Sequence, residues 1–222
     1  MSEALTVAAG VVLVVVAYLL GSIPFAIVIG KWFWHVDVRE HGSGNVGTTN
    51  VFRVLGKKAG TLVLIGDMGK GFLPTFVAGL FLPPWFTLIV AMAALLGHMY
   101  SVFLRGGGGK GVATGAGIIL ALMPWVFLIT LAVFLTVLVV GRMVSLASIC
   151  GAITLMICVL VFDEPLSYQI LAVLASGVVI YAHRSNIRRI ALRCEPRVTF
   201  PWNRHGEGRP PSSGEGSRVG IS

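Results

Sequence analysis

Charge is what this sequence has least of. Asp, Glu, Lys and Arg together make up 12% of its 222 residues, about half of the roughly 25% usual in a soluble domain. With 56% hydrophobic residues and a mean hydropathy of +0.89, this scarcity excludes a soluble core and indicates an integral membrane protein. Cysteine is scarce too. Cys150 and Cys158 lie in an apolar segment and Cys194 in a basic one, which gives no disulfide framework and no zinc-ligand spacing. Familiar catalytic signatures are missing. A nucleotide P-loop fails because Leu104 stands at its first glycine and Gly111 follows Gly109-Lys110. A G-x-S-x-G elbow fails around Ser43, where His41 and Asn45 take the glycine positions, and H-E-x-x-H does not occur. Nucleotide binding by a P-loop and hydrolysis by an activated serine or zinc therefore have no support, and the net charge of +8 marks cytoplasmic loops and anionic headgroups rather than nucleic acid.

What is abundant is apolar sequence in lengths that suit a bilayer, at about 20 residues per crossing. Thr6 to Gly30 reads as a first span kinked at Pro24. Only Glu3 precedes it, and no A-x-A site follows, so it reads as a retained span rather than a signal peptide. Thr61 to Leu82, Trp85 to Leu104, Ile149 to Phe162 and Ser167 to Ala182 are further spans. Val112 to Val140 is either one long span or two short ones, and Met123-Pro124-Trp125 offers a break. With that break there are seven spans, and all 17 basic residues fall on one face. The positive-inside rule makes that face cytoplasmic. The expected fold is an all-α integral membrane protein of about seven transmembrane helices, N-terminus outside and C-terminus cytoplasmic. Residues 1–204 form a single polytopic domain, and the Gly-, Pro- and Ser-rich residues 205–222 form a disordered cytoplasmic tail.

Three polar clusters then share the cytoplasmic face. The first is His41 to Asn50 followed by Arg53, where Gly42, Gly44 and Gly47 alternate with Ser43, Asn45 and Thr49. Such a stretch makes turns and offers donors to an anion, with Arg53 as a guanidinium fork. A helix cap plus a solvated loop is the other reading of Thr49 and Asn50. The second cluster is Arg105-Gly-Gly-Gly-Gly-Lys110-Gly111, running into a helix from Val112. It is either a flexible turn or a phosphate cradle made of glycine N–H groups, a lysine and a helix N-terminus. The third is His183-Arg-Ser-Asn186-Ile-Arg-Arg189, where a continuing helix puts His183 and Asn186 on one face. Asp67 and Lys70 lie three apart in an apolar span and read as an ion pair at its cytoplasmic end, with a direct substrate role as the other reading. Ser145 and Ser148 flank Leu146 in a loop from Gly141 to Ser148, and either can bond a helix carbonyl. No residue set suggests a metal.

Together these clusters resemble one family, the bacterial membrane acyltransferases that acylate glycerol 3-phosphate from acyl phosphate. The resemblance rests on Ser43 to Asn50 with Arg53, Asp67 to Gly71, Gly97-His98, Gly108 to Thr114, His183 to Arg189 and Glu195, and it covers about Tyr18 to Glu195. Thr48 stands where the family has alanine. Gly106 and Gly107 replace an aromatic and a basic residue, and Arg193-Cys194 replaces Gly-Thr. No histidine begins the His-x4-Asp motif of the acyl-CoA class.

The resemblance implies transfer of an acyl group to the sn-1 hydroxyl of glycerol 3-phosphate, giving 1-acylglycerol 3-phosphate and phosphate in phospholipid synthesis. It implies no cofactor and no acyl-enzyme, because acyl phosphate is already a mixed anhydride. Ser43, Arg53, His183 and Asn186 are the implied catalytic residues. Gly108, Gly109, Lys110 and Gly111 are implied to bind glycerol 3-phosphate, with Asn45, Thr49 and Ser148 as further substrate contacts. Glu195, with Asp67 and Lys70, is structural. The implied setting is the bacterial cytoplasmic membrane, with the site on its cytoplasmic face and room for coupling to an acyl-phosphate-forming enzyme. A membrane transporter of an organic phosphate or other anion is the alternative, but it requires polar residues near the bilayer midplane and access from both sides. A structural subunit leaves the glycine–lysine loop without a role.

Overall fold

The computed structural model describes residues 2–199 and is all-helical over them. Nine α-helices follow in order among the described residues: α1 (Glu3–Ser22), α2 (Phe25–Trp34), α3 (Thr48–Phe81), α4 (Pro84–Met99), α5 (Val112–Leu122), α6 (Pro124–Gly141), α7 (Val144–Val161), α8 (Leu166–Ala182) and α9 (Arg184–Ala191). Five helices are long and apolar enough to cross a membrane, and α8 with α9 makes a sixth bent by 58°. The tail expected over 205–222 lies outside the described residues.

Proline and left-handed turns set the boundaries. Ser2 caps α1, accepting the Leu5 N–H at 3.4 Å. Pro84 and Pro124 stand at the first positions of α4 and α6, where a missing N–H costs nothing. Met123 alone separates α5 from α6, so the break expected at Pro124 is present. Gly111, at φ +83°, starts α5 in a conformation that a side chain resists.

Four expectations need correction. Pro24 does more than kink the first span: Ile23 and Pro24 leave the helix altogether, so α1 and α2 are separate. The span expected to start at Thr61 begins earlier, because α3 starts at Thr48 and changes direction at Gly56 (φ 81°, ψ −170°). The loop expected over Gly141 to Ser148 is only Arg142 and Met143, because the apolar face of α7 runs back to Val144. The last span does not run straight into Asn186 but turns at His183. Two helices are also short: α2 and α5 rise only about 15 Å, half of a 30 Å hydrocarbon core.

In lipid there is no hydrophobic force between spans, so close backbone approach replaces it. Gly21 and Gly97 bring α1 onto α4, where an added Cβ would strike the carbonyls of Ala94 and Tyr18. Gly71 and Gly117 do the same for α3 and α5, against the carbonyls of Thr114 and Met68. Gly10 lies at Phe86 and Gly21 at Ala94, so α1 and α4 run parallel; Gly71 at Thr114 and Gly79 at Leu122 make α3 and α5 parallel. Tight reversals join α3 to α4, α6 to α7 and α7 to α8. The loops at 35–47 and 100–111, the Arg142 turn and the segment from His183 consequently meet at one end of the bundle.

Gly97→Val should lower the thermal midpoint in detergent, because overpacking of this kind costs roughly 1–3 kcal/mol, worth about 2–4 °C each. Gly177, whose Cβ position faces open space, is the control. Gly177→Ala should hold or slightly raise the midpoint, because alanine is the better helix former, and a fall there equal to that of Gly97→Val would refute this packing account.

Candidate functional site

The site is assembled from three loops and a helix break. In the first, Asn50 on the opening turn of α3 is buried and faces back into its own loop. Its Nδ2 donates to the carbonyls of Val38 and His41 at 2.9 and 3.1 Å. Its Oδ1 accepts the Ser43 N–H at 2.9 Å and the Ser43 Oγ at 3.2 Å. Neither Asn50 nor Thr49 caps α3; Gly47 holds that position. Thr49 is exposed on the first turn, and Arg53 is exposed one turn further and donates to no acceptor among the described residues. Arg39 is engaged, donating to Asp37 at 3.0 and 2.6 Å, with Lys31 also 3.0 Å from that carboxylate. The Arg39 hydrogen bonds hold the Asp37 carboxyl far below the ordinary carboxylate range.

A cleft joins this loop to the second. Its walls are Arg39, Ser43, Gly44, Asn45 and Val46 on one side and Gly107 and Gly108 on the other. The glycine run is not a cradle of free N–H groups. Gly108 donates to the Met99 carbonyl at 3.0 Å and Gly109 to the His98 carbonyl at 3.1 Å. Glycine is required at both because a Cβ would collide with the end of α4: with the His98 and Met99 carbonyls at Gly108, and with the His98 ring at Gly109. The free donors lie one step further on. Among the described residues the N–H groups of Lys110, Gly111, Val112, Ala113 and Thr114 have no acceptor, as expected at the start of α5. An anion there meets the positive helix end and the Lys110 ammonium.

Lys110 reaches the third cluster, donating through Nζ to Asn186 Oδ1. Asn186 in turn donates to Glu195 Oε1 at 2.6 Å, which also accepts from Ser145 Oγ at 2.6 Å. Arg189 Nε donates to Glu195 Oε2 at 2.7 Å. Burial would raise the Glu195 carboxyl, but the donors Ser145, Asn186 and Arg189 outweigh it and hold the group below its ordinary 4.5. Burial, reinforced by the Arg189 charge, lowers the Lys110 ammonium, and Glu195 offsets part of that. The segment after Glu195 is tied to the α6–α7 turn, where the Val198 N–H donates to the Arg142 carbonyl at 2.6 Å and Arg142 Nε to the Val198 carbonyl at 3.0 Å. Arg193-Cys194 still makes the turn. Arg193 takes φ +57°, at about 1 kcal/mol for a non-glycine residue, and the Cys194 N–H reaches the Arg189 carbonyl at 2.9 Å. His183 is buried at the break, with Nδ1 2.8 Å from the Val179 carbonyl. A carbonyl only accepts, so Nδ1 carries the proton and a neutral ring presents Nε2 as acceptor.

The structure thus brings Ser43, Asn45, Gly108, Lys110, His183, Asn186 and Glu195 to one end of the bundle. Ser148 is different: it lies inside α7 and its hydroxyl donates to the Val144 carbonyl at 2.8 Å, the helix-internal alternative to a phosphate contact. Asp67 and Lys70 pair at 2.8 Å within α3, and Lys70 also donates to the Ile23 carbonyl at 2.8 Å. Sequence reasoning missed the organising role of Asn50, the Ser145–Glu195 bond, the Arg142 tether and His98. Asn50 and Ser145 stood beside chosen residues, but their partners are 7 to 50 residues away, and only the chain path shows that.

Apolar helices long enough to cross a membrane, with a polar, anion-receptive cluster at one end, make this an integral membrane protein suited to holding an anionic group. A family model described as glycerol-3-phosphate acyltransferase matches residues 11–193. A glycerol-3-phosphate acyltransferase of Geobacillus kaustophilus (strain HTA426) is 45% identical over 86% of this chain and 98% of its own. Glycerol-3-phosphate acyltransferase 3 of Bacillus anthracis is 50% identical over 85% of this chain and 94% of its own. The crystal structure of PlsY, an integral membrane glycerol 3-phosphate acyltransferase, in its glycerol 3-phosphate form is 42% identical and covers 86% of this chain and 96% of its own, with a TM-score of 0.84. Its lysophosphatidic acid form gives 0.81. The chain belongs to the glycerol-3-phosphate acyltransferase family.

The Glu195 clamp carries a prediction. Its folded-state carboxyl titrates below 4.5, so its stabilisation is complete above that pH and is lost as pH falls through the lower folded value. Glu195→Gln should cost about 1.5–3 kcal/mol near neutrality and flatten the acid side of the stability profile. An unchanged acid limb would contradict the clamp.

Proposed function

We propose that this enzyme takes its acyl group from an acyl phosphate and transfers it directly to the sn-1 hydroxyl of glycerol 3-phosphate, releasing phosphate and 1-acylglycerol 3-phosphate. The observation that carries this reading is the convergence of Lys110, the free N–H groups of α5, Asn186 and the Ser43 loop at one membrane end. Both substrates are phosphate anions, one soluble and one with a lipid chain, and a site at a membrane surface admits both. In the transfer, the hydroxyl oxygen bonds the acyl carbon, the carbon–oxygen bond to phosphate breaks, and phosphate leaves with the electron pair. The hydroxyl proton passes to a phosphate oxygen, with a second pKa of about 6, or to Nε2 of His183.

Catalysis in this scheme is positioning and charge stabilisation. Lys110 and the first turn of α5 hold glycerol 3-phosphate, Arg53 and the Ser43–Asn45 loop face the acyl phosphate, and Asn186 orients Lys110. The surroundings of Ser43 favour direct transfer. Its hydroxyl lies against an amide oxygen at 3.2 Å, and His41 Nδ1 is turned to the Asp37 carbonyl at 3.1 Å, so among the described residues no base is hydrogen-bonded to it. Polar groups gathered at one end also suit an enzyme better than a transport path.

The helix order supports seven crossing segments, with α1 and α2 as the first and α5 as a short one, N-terminus outside and site cytoplasmic. A reporter fused after Trp125 should read external; a cytoplasmic reading would overturn this topology.

Purified enzyme given palmitoyl phosphate should release phosphate only when glycerol 3-phosphate is added. Lys110→Ala should lower kcat/KM for glycerol 3-phosphate about ten- to a hundred-fold, as loss of a charge-assisted hydrogen bond requires. Release independent of glycerol 3-phosphate, or unchanged kinetics of the variant, would overturn the assignment.

A further inference from the structure

Beneath the cleft lies a second, smaller cavity. Its walls include Ser22, Val46, Asp67, Lys70, His98 and Gly109, and Val46 separates it from the cleft above. Charge this deep in a membrane bundle is costly unless it is paired or used. Asp67 is 1% exposed and His98 7%. Asp67 Oδ1 meets Lys70 at 2.8 Å and His98 Nδ1 at 3.6 Å, while Oδ2 is buried with no partner among the described residues. Lys70 needs only one carboxylate oxygen for its charge. The approach of His98 to that same oxygen, at 3.6 Å, therefore calls for its own explanation.

That explanation lies on the far side of the ring. His98 Nε2 is packed against Gly109, where a methyl group would collide with it, and the His98 carbonyl accepts the Gly109 N–H at 3.1 Å. Gly109 is thus held by the backbone and the side chain of one residue, and Lys110 is next in the chain. The base of the loop is fixed from below as well, by Ser101 Oγ donating to the Ser22 carbonyl at 2.6 Å and Tyr18 donating to the Tyr100 carbonyl at 2.9 Å. On its other side the His98 ring faces the Asp67 carboxylate, 3.6 Å from Nδ1.

We infer that His98, oriented by Asp67, is a positioning residue: it sets Gly109, and through it Lys110 and the first N–H groups of α5, against the phosphate of glycerol 3-phosphate. This rests on the assignment of Lys110 to that substrate. Asp67 and Lys70 then serve the reaction through His98 and touch no substrate.

Kinetics of four proteins test it: the parent, His98→Ala, Lys110→Met and the double variant, with palmitoyl phosphate and glycerol 3-phosphate varied in turn. His98→Ala should raise KM for glycerol 3-phosphate about tenfold, the loss of one well-placed charge contact. KM for palmitoyl phosphate should stay within about twofold. In the Lys110→Met background the same change should alter KM for glycerol 3-phosphate less than about twofold, because residues acting as one unit are not additive. If both KM values rise together, or the two substitutions multiply, His98 is merely structural and the inference fails. If Lys110→Met alone leaves KM for glycerol 3-phosphate unchanged, the Lys110 assignment fails, and the substrate-selective KM change still reports on His98. Gly109→Ala, which keeps His98 and Asp67 but forces them off the loop, should reproduce the selective rise should His98→Ala not fold; a rise in neither KM would overturn the inference.

Discussion

A lysine amine and an asparagine amide oxygen, 76 residues apart in the chain, hold the two halves of this site together. Lys110 belongs to the loop between α4 and α5, and Asn186 to the short helix beyond the last apolar segment. At a membrane surface a half-buried ammonium needs a partner, and Asn186 supplies one without neutralising it. A carboxylate in that place would compete with the substrate anion. Glu195 stands one residue back, where it orients Asn186 and engages Arg189 and Ser145. The Glu195 carboxylate is therefore kept two hydrogen bonds away from Lys110, with Asn186 between them.

The glycines serve this arrangement through space more than through donors. Gly108 and Gly109 let the chain lie against the last turn of α4, with their N–H groups already engaged by its carbonyls. Gly111 then makes the left-handed step that starts α5. The result is a rigid approach that delivers Lys110 and a fresh helix N-terminus to the same point. The same lack of Cβ atoms, at Gly21, Gly97, Gly71 and Gly117, sets the helix spacing lower in the bundle. Close packing of α1 on α4 and α3 on α5 fixes the height at which the loops emerge.

Much of this was legible in the sequence. Scarce charge and long apolar runs indicate a helical membrane protein, and Pro124 with its neighbours marks the break between α5 and α6. The one-sided distribution of lysine and arginine groups the polar clusters. Other features were not legible for identifiable reasons. Pro24 reads as a kink, and the full break found there depends on Lys70 and Ser101 taking the freed carbonyls of Ile23 and Ser22. The loop before Ile149 looked polar because of Arg142 and two serines, yet Ser145 and Ser148 find partners in Glu195 and the Val144 carbonyl and so lie within a helix. The glycine N–H groups looked free because their acceptors belong to the preceding helix. Gly56 resembles every other helical glycine until its φ of 81° is seen.

Where a bound phosphate lies tests the role of Lys110 most directly. A structure of this protein with glycerol 3-phosphate should place the phosphate about 3 Å from Lys110 Nζ and from N–H groups of the first turn of α5. The sn-1 hydroxyl should then face the cleft toward Ser43. A phosphate held by the N–H groups of Gly108 and Gly109, or bound away from Lys110 altogether, would contradict it.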